Sequence, residues 1–138
     1  DAGLLAMTSA LIRLFSQAKL HQGSFQLQRQ SAEARTMATR EFMQNHLDMS
    51  LTLGELAAHS GQSIPYYSKL FKECTNQPPM AYFIHLKIRK ACELLDQTEL
   101  TVQEIAVAIA DDDPYYFSRI FKKIQGVSPS AYRQSVKG

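Results

Sequence analysis

Tyr67-Ser68-Lys69-Leu70-Phe71-Lys72 returns fifty residues later as Phe117-Ser118-Arg119-Ile120-Phe121-Lys122. The likeness extends outward on both sides. Upstream, Leu51-Thr52-Leu53, Glu55, Leu56 and Ala57 correspond to Leu100-Thr101-Val102, Glu104, Ile105 and Ala106 at an offset of forty-nine. Downstream, Pro79, Ala81 and Tyr82 correspond to Pro129, Ala131 and Tyr132 at an offset of fifty. The slip of one residue falls between Ser60-Gly61-Gln62 and Ala110-Asp111-Asp112, where a turn is expected. A repeat that keeps helical spacing but varies a turn is one supersecondary unit used twice.

Periodicity says what the unit is. Leu53, Leu56, Ala57 and Ser60 share one helical face, followed by a turn at Gly61. A second helix opens at Ser63, an N-cap residue type, with Pro65 in its first turn. Tyr67, Leu70, Phe71 and Cys74 then fall at i, i+3, i+4 and i+7, the stripe of a helix packed on a core. The second copy repeats this with Val102, Ile105, Ala106 and Ile109. Asp113 follows as N-cap and Pro114 at the first helical position, and then the stripe Phe117, Ile120, Phe121 and Ile124. Two short helices joined by a tight turn form a helix-turn-helix, whose second helix enters the DNA major groove. The fold class is therefore all-α: two helix-turn-helix units joined by a long linking helix, a homeodomain-like tandem.

Along the chain, residues 1–22 hold an apolar stretch (Leu4, Leu5, Leu11, Ile12 and Phe15), read as the helical tail of an upstream domain or as a docked helix. Residues 23–32, with Gly23 and several Gln, read as a polar linker. The tandem occupies 33–138: unit one over about 33–78, the linking helix over about 79–96 and unit two over about 97–138. Helices are expected from Glu33 to about His46 and from Ser128 onward.

The side chains left over after the core stripes are removed form the candidate DNA face. Pro65, Lys69 and Lys72 point away from the Phe71 stripe, and Tyr115, Arg119 and Lys122 occupy the same face of the second copy. Ser68 and Ser118 flank it on one side, Tyr66 and Tyr116 on the other. Arg119 suits a guanine edge through O6 and N7, worth about 1–3 kcal/mol of discrimination; Lys69 offers a point donor with less geometric selectivity. Lys72, Lys122, Lys123 and Arg133 suit phosphates, as do backbone N–H groups at 79–81 and 130–132, around Ser130, and the flanking Tyr66 and Ser118. Asp111 to Asp113 would repel phosphate unless Asp113 serves as the cap.

Glu41 to Arg133 resembles the C-terminal DNA-binding domain of the AraC/XylS family of bacterial transcription regulators. The resemblance is carried by Ile105-Ala106, Asp113-Pro114, Tyr116-Phe117-Ser118-Arg119, Phe121-Lys122-Lys123, Gly126, Ser128-Pro129 and Tyr132-Arg133, and on the linking helix by Tyr82, Ile88, Ala91, Leu94 and Leu95. Two departures stand out: Ala110-Asp111 where the family usually has Gly-Phe, and Lys87 where it usually has Arg. The resemblance implies base-reading positions at Pro65, Ser68, Lys69, Tyr115, Tyr116 and Arg119. Because Pro65 carries no side-chain donor, the first recognition helix is expected to read fewer bases. The resemblance also implies double-stranded promoter DNA and RNA polymerase as partners, activation rather than repression, and dimerisation only through an upstream domain outside this chain.

Composition narrows the remaining classes. The 138 residues carry a net charge of +2 and 45% hydrophobic residues, enough for a core and without a run of about eighteen apolar residues for a membrane span. Cys74 and Cys92 form no Cys-x-x-Cys pair and read as small hydrophobes in a reducing cytoplasm. His21, His46, His59 and His85 share no metal-ligand spacing, and no phosphate loop or nucleophile elbow appears, so neither metal nor cofactor nor enzymatic activity is expected. The linking-helix cations Lys87, Arg89 and Lys90 read as a solvated face rather than a DNA stripe. The competing functional class is an all-helical protein-interaction module. Positive charge at matched outward positions of both copies argues against it.

Overall fold

The computed structural model describes residues 2–138, except the side chains of 2, 4, 5 and 17–21. Among the described residues the regular elements are seven helices: α1 (Ala2–Gln44), α2 (Leu53–His59), α3 (Ile64–Thr75), α4 (Pro79–Gln97), α5 (Val102–Ala108), α6 (Pro114–Gln125) and α7 (Pro129–Lys137). The pairs α2–α3 and α5–α6 are the two helix-turn-helix units, and α4 is the linking helix. The all-α tandem expected from the repeat is the fold.

Local chemistry sets the helix starts. Ser63, Asp113 and Ser128 cap α3, α6 and α7, with proline following in the first turn. Thr52 and Thr101 begin α2 and α5 with reciprocal capping boxes to Glu55 and Glu104. Both turns close alike: Gln62 N donates to Ala57 O at 3.0 Å and Asp111 N to Ala106 O at 2.8 Å. Gly61 (φ 70°) and Ala110 (φ 61°) hold the equivalent left-handed position. The slip therefore falls after Asp111. Asp112 is the extra residue, and Ala in place of Gly leaves the turn's hydrogen bonds intact.

The two cores are separate and match in detail. Tyr67 and Phe71 meet at 5.8 Å between ring centroids, and Tyr82 stands edge-on to Phe71 at 5.3 Å. Phe117, Phe121 and Tyr132 repeat this at 5.9 and 5.7 Å. Around the first set lie Met43, Leu47, Leu51, Leu56 and Ala57, with Phe83 and Leu86 from α4. Around the second lie Ile105, Ala106 and Ile109, with Ile88, Ala91 and Leu95 from α4. One helix thus serves one core with its first half and the other core with its second half.

Two expectations change, and one of two alternatives for residues 1–22 is set aside. The segment read as a linker is helical, inside the 43 residues of α1. Its polar residues are mostly adequate helix formers. One Gly costs only about 1 kcal/mol relative to Ala, and propagation from an existing helix is easy. Arg29 further ties it down by pairing with Glu33 and with Glu73 of α3, both at 2.9 Å. From Ala32 the helix docks through Ala32, Thr36, Thr39 and Met43. Leu11, Ile12 and Phe15 are exposed rather than docked on the tandem; the Leu4 and Leu5 side chains lie outside the described residues. Cys74 is also exposed, because the last turn of α3 runs past the core, whereas Cys92 is half-buried.

An added Cβ at Gly61 meets nothing within 4 Å, so only its backbone angle opposes substitution. Urea unfolding should show Ala110→Gly raising stability by about 0.5–1 kcal/mol and Gly61→Ala lowering it by a similar amount. Equal stability of parent and Ala110→Gly would mean that the left-handed alanine carries no strain.

Candidate nucleic-acid interface

Two outward faces emerge once the cores are packed. On α3, Pro65, Tyr66, Lys69 and Lys72 are exposed and Ser68 is half-buried. On α6, Tyr115, Tyr116, Arg119, Lys122 and Lys123 are exposed and Ser118 is half-buried. The same helical periodicity that buries Tyr67 and Phe71, and Phe117 and Phe121, forces these residues outward. Each unit therefore presents a cation at the same place, Lys69 in one and Arg119 in the other. Among the described residues, Lys69, Lys72, Arg119, Lys122 and Lys123 enter no ion pair. Such charges are available to phosphate and base acceptors without first breaking an internal bond.

The α6 face is the more elaborate. Tyr115 is 83% exposed, the most open of the large apolar side chains among the described residues. The Arg119 guanidinium lies 5.9 Å from the Tyr116 ring centroid, which supports the fork from one side while leaving its donors free. Asp113 Oδ1 accepts from Tyr115 N at 3.0 Å and Tyr116 N at 3.3 Å, and Asp111 Oδ1 accepts from Asp113 N at 3.1 Å. Two of the three consecutive carboxylates are thus engaged in building the helix start. On the α3 face Pro65 adds only apolar surface, and Ser63 caps the helix through Tyr66 N at 3.4 Å.

Helix starts add backbone donors. Pro78, the N-cap of α4, makes no side-chain cap bond, so the amides of Met80 and Ala81 keep their donors. At α7, Ser128 takes Ala131 N at 3.2 Å, and the Ser130 side chain is exposed.

Arg133, expected at phosphate, lies elsewhere. Its Nε donates to Leu95 O at 3.1 Å and its Nη2 to Thr98 O at 3.3 Å, and the side chain is half-buried. The last carbonyls of a helix lack intrahelical donors, and a guanidinium satisfies two at once. Lys137 joins it, donating to Thr98 O and Glu99 at 2.8 Å each.

Two further side chains shape the site, one that sequence reasoning passed over and one that it placed on the wrong face. Gln62, in the first turn, donates to Ala32 O at 2.9 Å and accepts from Thr36 at 2.9 Å, fastening the start of α3 to α1. Lys87, read as part of a solvated face, turns inward: its Nζ donates to Met49 O at 2.7 Å and Ile109 O at 2.6 Å. The signal was present in the row Phe83, Lys87, Ala91, Leu95 at four-residue spacing, in which the other three are core residues. Arg89 and Lys90 are exposed, as expected. Among the described residues no group of three or more His, Cys, Asp or Glu side chains comes together, and no helix is long and apolar enough to cross a membrane.

A family model described as a helix-turn-helix domain matches residues 56–135, more than half of the chain. With two such units around one linking helix, the comparisons agree on the type. The chain belongs to the AraC-type helix-turn-helix family of transcription regulators. It is 44% identical over 96 residues to the MmsAB operon regulatory protein of Pseudomonas aeruginosa, covering 70% of this chain and 31% of that protein. Among solved structures it is similar to the C-terminal domain of AraT, a response regulator from Geobacillus stearothermophilus. That match has a TM-score of 0.71 and 34% identity, over 73% of this chain and 84% of that one. It is also similar to the DNA-binding domain of AdpA, a global transcriptional factor solved in complex with a target DNA. Here the TM-score is 0.68 with 25% identity, over 75% and 90% of the two chains. The chain spans less than half the length of the first curated relatives it matches. What it holds is the DNA-binding domain of such a regulator.

The capping role of Asp113 is open to test. Asp113→Ala should cost about 0.5–2 kcal/mol in urea unfolding, the usual value of an N-cap, whereas Asp113→Asn should recover most of it. An alanine variant as stable as the parent would show that Pro114 alone fixes the start of α6.

Proposed function

We propose that this chain is the promoter-reading end of a bacterial transcription activator, with α3 and α6 inserted into successive major grooves on one side of the duplex. The observation that carries the reading is the matched pair of outward faces, each with an unpaired cation one helical turn beyond the helix start. Arg119 reads a guanine edge through its fork, Lys69 donates as a point charge, and Ser68, Pro65, Tyr115 and Tyr116 complete the base-facing set. Tyr66, Lys72, Ser118, Lys122, Lys123 and Ser130 hold phosphates, together with the uncapped amides at the start of α4. Arg133 contributes indirectly, by holding α7 against the end of α4.

Successive major grooves lie about 34 Å apart along the duplex. If the tandem holds its recognition helices closer than that, the DNA bends toward the protein at a cost on the order of 1–6 kcal/mol. One chain then reads an asymmetric site, with no need for a two-fold axis. Activation follows from contact with RNA polymerase at a neighbouring promoter, and signal sensing and any dimerisation belong to parts of the regulator outside this stretch.

Selection of bound duplexes from a random library tests the reading. An asymmetric motif of two blocks about one helical turn apart is expected. Arg119→Ala should relax one base position by about 1–3 kcal/mol and Lys69→Ala should relax the other block. Lys122→Ala should weaken all sequences alike and lower the salt slope by about one. If no duplex is enriched at low salt, the reading fails. If only the Arg119 block appears, unit one grips phosphate without reading bases.

A further inference from the structure

Lys87 stands at the middle of α4, between Leu86 of the first core and Ile88 of the second. Its ammonium donates one hydrogen bond to each side of the molecule. Met49, whose carbonyl accepts at 2.7 Å, lies between α1 and α2 in unit one. Ile109, whose carbonyl accepts at 2.6 Å, is the C-cap of α5 in unit two. The Phe83 ring supports the same nitrogen at 4.7 Å from its centroid. The bridge spans a cleft of about 340 Å³ whose walls come from both units, Ser50 and Leu51 on one side, Ala110 and Ile120 on the other.

Apart from this bridge, the principal packing between the units runs through α4, and each unit closes its own core. A cleft at the junction leaves room for one unit to rock against the other. A cation bonded to a carbonyl on each wall opposes that motion directionally, which apolar contacts do not. Burial lowers the pKa of Lys87, while Asp111 and Asp48 act in the opposite sense. Asp48 belongs to unit one and Asp111 to unit two, so each unit also sets a carboxylate charge toward the ammonium.

We propose that Lys87 is a positioning residue for DNA reading: by joining the Met49 and Ile109 carbonyls it holds the two recognition helices at one separation, and so sets which spacing between the two DNA blocks the chain accepts. This rests on the two-block reading above. Two modules on a rigid joint gain from each other only at the matching spacing; on a loose joint they gain less, over a wider range.

The test uses the full chain with Lys87→Met, which keeps the apolar stem, and Lys87→Arg, which keeps the donors. Duplexes carry the selected site at its own spacing, with one base pair added or removed, and with either block scrambled. The parent should lose about tenfold or more in affinity on a one-base-pair change, whereas Lys87→Met should vary less than about threefold across the series and bind more weakly at the original spacing. Both should bind single-block duplexes equally, and Lys87→Arg should restore the spacing preference. A general loss of structure would weaken single-block binding as well, and that result overturns the proposal. So does a folded Lys87→Met variant with the parent's spacing preference.

A second measurement needs no DNA. Nitroxides on Cys74 and on Gln125→Cys, in a Cys92→Ser background, report the separation of the α3 and α6 ends. A narrow distance distribution that broadens with Lys87→Met supports the bridge; distributions of equal width overturn it. Lys87→Gln replaces Lys87→Met in both experiments if the latter does not fold. A parent that selects a single block overturns the two-block reading and the spacing role with it. A parent with two blocks and an unaltered Lys87→Met variant overturns only the role of Lys87.

Discussion

Neither helix-turn-helix can bury its own aromatic pair. The helices of each unit have 7 and 12 residues, lengths at which an isolated helix in water is marginal and tertiary packing must supply the stability. Tyr67 and Phe71 are covered by Phe83 and Leu86 of α4 together with Met43 of α1, and Phe117 and Phe121 by Ile88, Ala91 and Leu95 of α4. Everything else is arranged around that division of one helix between two cores. The outward faces of α3 and α6 exist because their inward faces have a common partner. Lys87 stands at the junction because that is where the helix passes from one core to the other.

The two copies keep their ring geometry to within a few tenths of an ångström, yet each is closed by a different neighbour. Unit one is sealed by the end of α1. The hydroxyl of Thr39 meets Tyr67 OH at 2.8 Å, and Gln62 bonds to Ala32 and Thr36. Burial raises the Tyr67 pKa, and the Thr39 bond acts in the opposite sense. Unit two replaces the Tyr67 hydroxyl with Phe117 and is sealed by α7, with Arg133 on the carbonyls of Leu95 in α4 and of its C-cap Thr98, and Lys137 on Thr98. The repeat thus preserves what both units need and varies where their neighbours differ.

A net charge of +2 gives little hint of nucleic-acid binding, and the distribution explains why it need not. Glu55, Glu104 and Asp113 serve as helix-start partners, Glu33 and Glu73 pair with Arg29, and Glu99 pairs with Lys137. These acids are occupied in holding the fold, while the cations of α3 and α6 stay unpaired among the described residues. Position, rather than sum, makes the surface suited to a polyanion.

From the sequence alone came the helices of the tandem, the caps of α3, α6 and α7, the repeat and the faces that Lys69 and Arg119 present. Those depend on spacing along one helix and on donors and acceptors within four residues, which a linear pattern records. Only the tertiary structure decided that Lys87 turns inward, that Arg133 caps a distant helix, that Gln62 fastens the first turn and that α1 runs unbroken through residues 23–32. A long polar side chain at the edge of an apolar stripe satisfies its donors in water or on a carbonyl forty residues away. Sequence spacing is the same in both cases, and the choice is made by which backbone groups packing leaves without partners.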